Sequence, residues 1–370
     1  MFGININEDD KIYKKNILTL NPEIQIHKKK DIKLLDYISL IKIISAYLVI
    51  LKHTNRNYWI FSEYWISINI ICSFCMCAVP LFNLCIGATL LDFNMRYEIY
   101  EYLKRRINKI VIPIIGWNVI YFFYRYYFIK DIRKQKFTIY YFISLYFNND
   151  LAPLVSSLRI FLFGYMIIPF IAYVELHNKI KIYLYGFLIL LLNTSIIPYF
   201  INFFNKIGDR WPYNYNFGYI IYLFAGYIIQ NYKFNIKIKT LIYIFGLSGL
   251  LSRMIISHYL TMKYKKPDRT QINYINLPIV TYSCSVFLFI KENYKYMPKI
   301  IKKEYINKIG SLSMGPFYLH YVFIWGFFKL FKYNEFSFIY RFYGSFIITL
   351  LCFIITFLMK KIPIIKILVP

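Results

Sequence analysis

The chain has 370 residues, 58% apolar, 21% aromatic and only 17% charged, with a mean hydropathy of +0.44. A soluble domain carries about 25% charged and about 45–50% apolar residues, so this chain is solvated largely by lipid, and disordered, collagen-like and disulfide-rich secreted classes are excluded. Its 45 Lys plus Arg against 18 Asp plus Glu give +27. In a membrane chain such charge fixes orientation and meets anionic lipid, and it is spread over loops rather than gathered into a nucleic-acid face.

Residues 1–33 are polar and Lys-rich (Lys28, Lys29, Lys30, Lys33) with no cleavable signal, and read as a cytoplasmic N-terminal tail. A spanning helix needs about 20 mostly apolar residues. In chain order the candidates are 34–51, 66–91, 110–124, 160–174, 182–205, 211–232, 240–252, 270–290, 310–328 and 342–359. The expected fold is therefore an all-α, polytopic membrane helix bundle of about ten spans, with residues 34–370 as one membrane domain. The Tyr/Phe-rich stretch 137–147 reads as a half-inserted segment. An excess of basic residues in the tail and alternate loops predicts that both termini are cytoplasmic. Trp59, Trp65, Trp117, Trp211 and Trp325 lie near span ends and are expected in interfacial belts. Cys72, Cys75, Cys77 and Cys85 share one uncharged run. No His or second Cys cluster completes a ligand set there, so helix packing rather than a metal is expected.

Ionisable residues inside spans are costly and therefore informative. They are Lys42, His53, Arg125, Arg159, Arg253, His258, His320 and Arg341. Arg125, Arg253, His258 and Arg341 stand close enough to span ends to be read as snorkelling anchors. Lys42 and His53 are different. Eleven residues at about 100° each bring them to within roughly 20° of one helix face, about 16 Å apart along the axis. A cation below and a titratable imidazole above suit an anionic reactant that enters from the cytoplasm and reacts farther out. The competing reading is a snorkelling Lys and a chance interfacial His. A second basic group, Lys104, Arg105, Arg106 and Lys109, opens the third span. Arg106 and Lys109 are three apart, so they read either as a phosphate clamp on one helix face or as positive-inside anchoring.

Taken together these residues resemble the membrane-bound acyltransferase 3 family, closest to its sugar O-acetyltransferases. Lys42 with His53 resembles the family's first-span signature of a basic residue, ten others and a His. Arg106 and Lys109 resemble its pair of basic residues three apart. Val79-Pro80-Leu81-Phe82 through Gly87-Ala88-Thr89-Leu90-Leu91 is similar to its second span, and Arg105 through Pro113 to Trp117 is similar to the start of its third. Ile309-Gly310-Ser311-Leu312-Ser313-Met314-Gly315 through Tyr318-Leu319-His320 is similar to its penultimate-span motif. The likeness runs over residues 36–363. It departs at Ile86-Gly87, where the family usually has Ser-Gly, and at Ser157-Leu158-Arg159, where it often has His-Leu-Trp; the second departure points to altered acceptor binding.

The resemblance implies an enzyme in the cell membrane that moves an acyl group, commonly acetyl, from acyl-CoA to a hydroxyl of extracytoplasmic carbohydrate. Acetyl-CoA is then a donor substrate, with no bound cofactor or metal. Lys42, Arg106 and Lys109 would bind its anionic nucleotide, and His53 would be the catalytic base or carry the acyl group. Glu63 is a candidate to orient the imidazole, and His320 either assists or joins helices by packing and hydrogen bonding. The rival reading is a transporter or flippase of a lipid-linked saccharide, and a third is a non-catalytic scaffold.

Overall fold

The computed structural model describes residues 36–369 except 56–57, 59, 133–137, 148–153, 174–178, 205–217, 269, 297–301, 332–333 and 335. The tail, Trp59 and Trp211 lie outside the described residues, as does the side chain of Arg159. Among the described residues every regular element is a helix. In chain order they are α1 (Asp36–Thr54), α2 (Trp65–Cys75), α3 (Ala78–Leu90), α4 (Ile99–Arg106), α5 (Ile112–Phe123), α6 (Ile139–Phe147) and α7 (Leu154–Tyr173). There follow α8 (Lys179–Leu190), α9 (Ile197–Phe204), α10 (Ile220–Asn231), α11 (Ile236–Tyr264), α12 (Leu277–Asn293), α13 (Lys303–Gly310), α14 (Met314–Phe331) and α15 (Ser345–Lys361).

Among the described residues seven helical stretches are long and apolar enough to cross a membrane: Asp36–Thr54, Trp65–Met95, Ile99–Ile129, Lys179–Phe200, Ile236–Tyr264, Thr270–Tyr296 and Ile339–Lys361. Among the described residues the expected fourth and sixth spans carry the shorter apolar helices Leu162–Ala172, within α7, and Ile220–Asn231, and the expected ninth falls on α14 without joining the seven. The segment expected to be half-inserted is α6, whose nine residues fall well short of the ~20 needed to span. Leu145 on α6 packs with Phe122, Tyr126 and Ile132.

Several long stretches are not uniform. Turns of π-helix occupy Ile107–Val111, Tyr124–Ile129, Leu191–Ile196 and Ile339–Gly344. Such wider turns occur often at functional sites.

The interior is built around α1, α3, α10 and α14. The most apolar 18 residues of Trp65–Met95 are 83% buried, against 11% for those of Lys179–Phe200, so α2 and α3 are central and α8 is peripheral. Small residues allow the closest crossing. A Cβ on Gly87 of α3 would collide with the Leu223 carbonyl of α10, and one on Gly226 of α10 would collide with the Leu84 carbonyl of α3. Backbone therefore meets backbone here, which only glycine permits. We expect Gly226→Ala to lower thermal stability in detergent by about 1–3 kcal/mol. Gly164→Ala, which would find only Asn83 Oδ1 at 4.0 Å, is the near-neutral control.

Aromatic residues expected at the membrane surface are partly inside. Trp65 and Trp117 are buried. Trp65 packs with Tyr58, Ile68 and Cys72. Trp117 stacks on Tyr318 at 6.0 Å and donates from Nε1 to the Leu368 carbonyl at 2.9 Å. Their helices are crowded by neighbours at those levels, so burial inside the bundle replaces the interfacial position.

Candidate active site

The stripe read from spacing faces the bundle. Lys42, Ala46, Val49 and His53 follow one another at helical intervals on α1. Ala46 and Val49, between the two polar residues, are buried with Phe317, Tyr318 and Tyr321 of α14. Three or four residues is one α-helical turn, so these four side chains share a side. The expected separation of about 16 Å between Lys42 and His53 stands, because α1 is unbroken over this length.

At one end of the stripe His53 is half-buried and meets two residues of α14. Its Nδ1 lies 2.7 Å from the Tyr321 hydroxyl. Its ring stacks on His320 with centroids 5.1 Å apart and planes at 29°. His320 is fully buried, and its Nδ1 lies 3.0 Å from the Pro316 carbonyl, which can only accept. The proton is thereby placed on Nδ1, and Nε2 has no hydrogen-bond partner among the described residues. His320 therefore does join helices, as a stacking partner, and it also keeps an unused nitrogen beside His53. Glu63 is exposed in the turn before α2, and the group at His53 Nδ1 is Tyr321.

At the other end the basic residues gather. The charges of Arg106, Arg105 and Lys42 all act on Lys109, and that of Lys109 acts on Lys360 of α15. Arg106 and Lys109 do not play equal parts, because a π turn begins between them at Ile107. Arg106 is half-buried, with its guanidinium 5.4 Å from the Tyr102 ring and 5.3 Å from the Tyr165 ring. Lys109 is exposed at the rim. Arg106 Nε and the Tyr318 hydroxyl are buried without a hydrogen-bond partner among the described residues. Most buried polar groups in folded proteins are paired, so these two atoms have hydrogen-bonding capacity to offer a bound molecule.

Two arginines expected to snorkel do not. Arg253 and Arg341 are each only 2% exposed. Arg253 stands eleven residues before the end of α11, which runs to Tyr264 rather than stopping near 252. That is about 16 Å from the helix end, beyond the reach of its side chain. Arg253 bonds the Ser73 hydroxyl and lies 3.4 Å from the Tyr58 hydroxyl. Arg341 sits in the π turn before α15 and donates to the Ser67 hydroxyl at 2.9 Å. Arg125 keeps its expected place near a helix end, paired with Asp131 at 2.7 Å, and His258 is half-buried. Sequence reasoning also passed over Tyr321, for which adjacency to His320 is the only signal. We expect Tyr321→Phe to slow acyl transfer by about tenfold through loss of one orienting hydrogen bond, read as kcat in a membrane assay with protein level held constant.

The described cysteines are free thiols, and no cluster of three or more metal-ligating side chains occurs among the described residues. No curated protein and no solved structure matches the chain. A family model does: the one described as "Acyltransferase domain" matches residues 35–358. With that match over an apolar helical bundle, the chain belongs to the acyltransferase 3 family and is a membrane acyltransferase.

Proposed function

We propose that the protein moves an acyl group, acetyl foremost, from cytoplasmic acyl-CoA to a hydroxyl of an extracytoplasmic saccharide, with His53 as general base. The observation that carries this reading is the single stripe on α1. It joins the basic group of Lys42, Arg106 and Lys109 to an imidazole held by Tyr321. In this reading ten spans put both termini on the cytoplasmic side of the cell membrane, so the basic end faces the donor and His53 lies toward the outer half.

The anionic nucleotide of acyl-CoA docks against Arg106, Lys109 and Lys42, where charge-assisted hydrogen bonds are strong. The pantetheine arm follows the seam between α1 and α14, which must open where Ala46 and Val49 are packed, and brings the thioester near His53. In the tautomer that leaves Nε2 free, His53 Nδ1–H donates to the Tyr321 oxygen. Nε2 takes the proton of the acceptor hydroxyl as its oxygen attacks the thioester carbonyl. The tetrahedral intermediate collapses, the carbon–sulfur bond breaks, and the imidazolium returns the proton to the thiolate. The products are an ester and free CoA. Attack by His53 itself, giving an acyl-imidazole that the acceptor then takes up, uses the same residues.

The experiment is thiol release. Purified protein in liposomes is given acetyl-CoA with and without glycan from the producing cell. Acceptor-dependent release of CoA with ester formation is the expected result. Movement of a lipid-linked saccharide across the bilayer with no thiol released would replace the enzyme by a transporter.

A further inference from the structure

Beyond the end of α1 that carries His53 lies a concentration of positive charge that the acyl-transfer step does not use. Arg253, Arg341 and Lys52 all act electrostatically on Cys72, which sits in α2 and approaches the Asn55 carbonyl at 3.8 Å. Lys52 adjoins His53 in sequence and donates to the Tyr274 hydroxyl at 2.7 Å. The main-chain carbonyl of Arg341 accepts from Thr54 Oγ1 at 3.2 Å and Asn55 Nδ2 at 3.4 Å, which ties the π turn directly to the residues after His53.

Burying a guanidinium is expensive unless a counter-charge and hydrogen bonds compensate. Here the compensation is incomplete. Both arginines are 2% exposed, and their hydrogen-bond partners are neutral hydroxyls of Ser73, Tyr58 and Ser67. Among the described residues none of Arg253, Arg341 and Lys52 pairs with a carboxylate. Nε of each arginine is buried with no hydrogen-bond partner among the described residues. Asp268, a buried carboxylate, acts with Arg253 on Tyr58, yet among the described residues it pairs with neither arginine, so the two inward guanidinium groups keep spare donors complementary to an anion brought by a ligand.

We propose that the acceptor saccharide is anionic and that Arg253 and Arg341, tied to Tyr58 and to Thr54 and Asn55 just after His53, hold its carboxylate or phosphate at that end of α1, an assignment that rests on the acyl-transfer reading above. Held there, the charged group would fix which sugar hydroxyl reaches the imidazole, since orientation at the reacting centre is what a positioned binding group supplies. The acidic residue of a polysaccharide and the phosphate of a lipid-linked sugar present the same chemistry to two arginines.

The test needs no knowledge of the natural acceptor and no turnover. Binding of methyl glucuronide, glucose 1-phosphate and methyl glucoside to the purified wild-type protein is followed by thermal shift. We expect at least about tenfold tighter binding of one or both anionic probes than of the neutral glucoside, weakening as salt is raised. Preference for the glucuronide assigns a carboxylate, and preference for glucose 1-phosphate assigns a phosphate. Equal binding of all three, or binding of none, overturns the proposal. Arg341→Gln should abolish the preference; if that variant does not fold, the wild-type comparison decides alone. Anion binding without thiol release would sink the enzyme and keep this site, and thiol release without anion preference would do the reverse.

Discussion

Replacing His53 by Ala is expected to lower acyl transfer by about 10²–10⁴-fold, the usual contribution of a positioned general base. The side chain is half-buried, stacked on His320 and bonded to Tyr321, and Ala46 and Val49 below it keep their packing in the variant. The loss should therefore appear in kcat, with KM for acetyl-CoA little changed, because Lys42, Arg106 and Lys109 remain in place. His53→Gln, which keeps a polar side chain but cannot carry a proton, should be as slow. Ester formation on surface glycan, measured at equal membrane abundance, checks the result. Wild-type rates in either variant would remove His53 from the chemistry. Protein incubated with labelled acetyl-CoA and denatured rapidly near neutral pH separates the two routes, since only the acyl-imidazole route leaves label on wild-type protein that His53→Ala lacks.

Arg106→Ala should raise KM for acetyl-CoA by about tenfold to a hundredfold, the range expected when one charge-assisted contact of ~1.5–3 kcal/mol is removed. Its guanidinium is enclosed by the Tyr102 and Tyr165 rings, so its interaction with an anion is screened little by water. Lys109→Ala should cost less, because Lys109 is exposed at the rim, where ion pairs contribute ~0–1 kcal/mol. Acetyl-pantetheine, which lacks the nucleotide, provides the control. It should be a poor donor for the wild-type protein and no poorer for Arg106→Ala. An effect of equal size on both donors would mean that Arg106 supports the fold rather than the nucleotide.

The fold class and the α1 stripe were legible because both follow from composition and period. Apolar runs of ~20 residues announce helices in lipid, and an unbroken α-helix preserves the relation between Lys42 and His53 over eleven residues. What misled was each place where local period ends. A shared face for Arg106 and Lys109 presumes a regular helix, and the π turn at Ile107–Val111 intervenes between them. Arg253 looked like an anchor because the apolar run stops near Ser252, whereas α11 continues to Tyr264 through residues that meet α2, such as Met254 and Met262. The role of Arg341 depends on Ser67, distant in the chain, and that of Tyr321 depends on how α1 meets α14. The Arg341 pairing leaves no trace in one sequence, and that of Tyr321 only its place beside His320. Trp65 and Trp117 show the same limit: an aromatic near a span end fits a lipid headgroup and a crowded interior equally well, and only neighbours decide.

The glycine crossing of α3 and α10 bears on how the molecule breathes. With no side chain between the two backbones at Gly87 and Gly226, there is nothing to rotate aside, and separating the helices means dismantling the centre. Amide hydrogens around Leu84 and Leu223 should thus exchange with deuterium as slowly as any in the molecule. Any widening beside the His53 imidazole must come from other helices moving around this fixed spine.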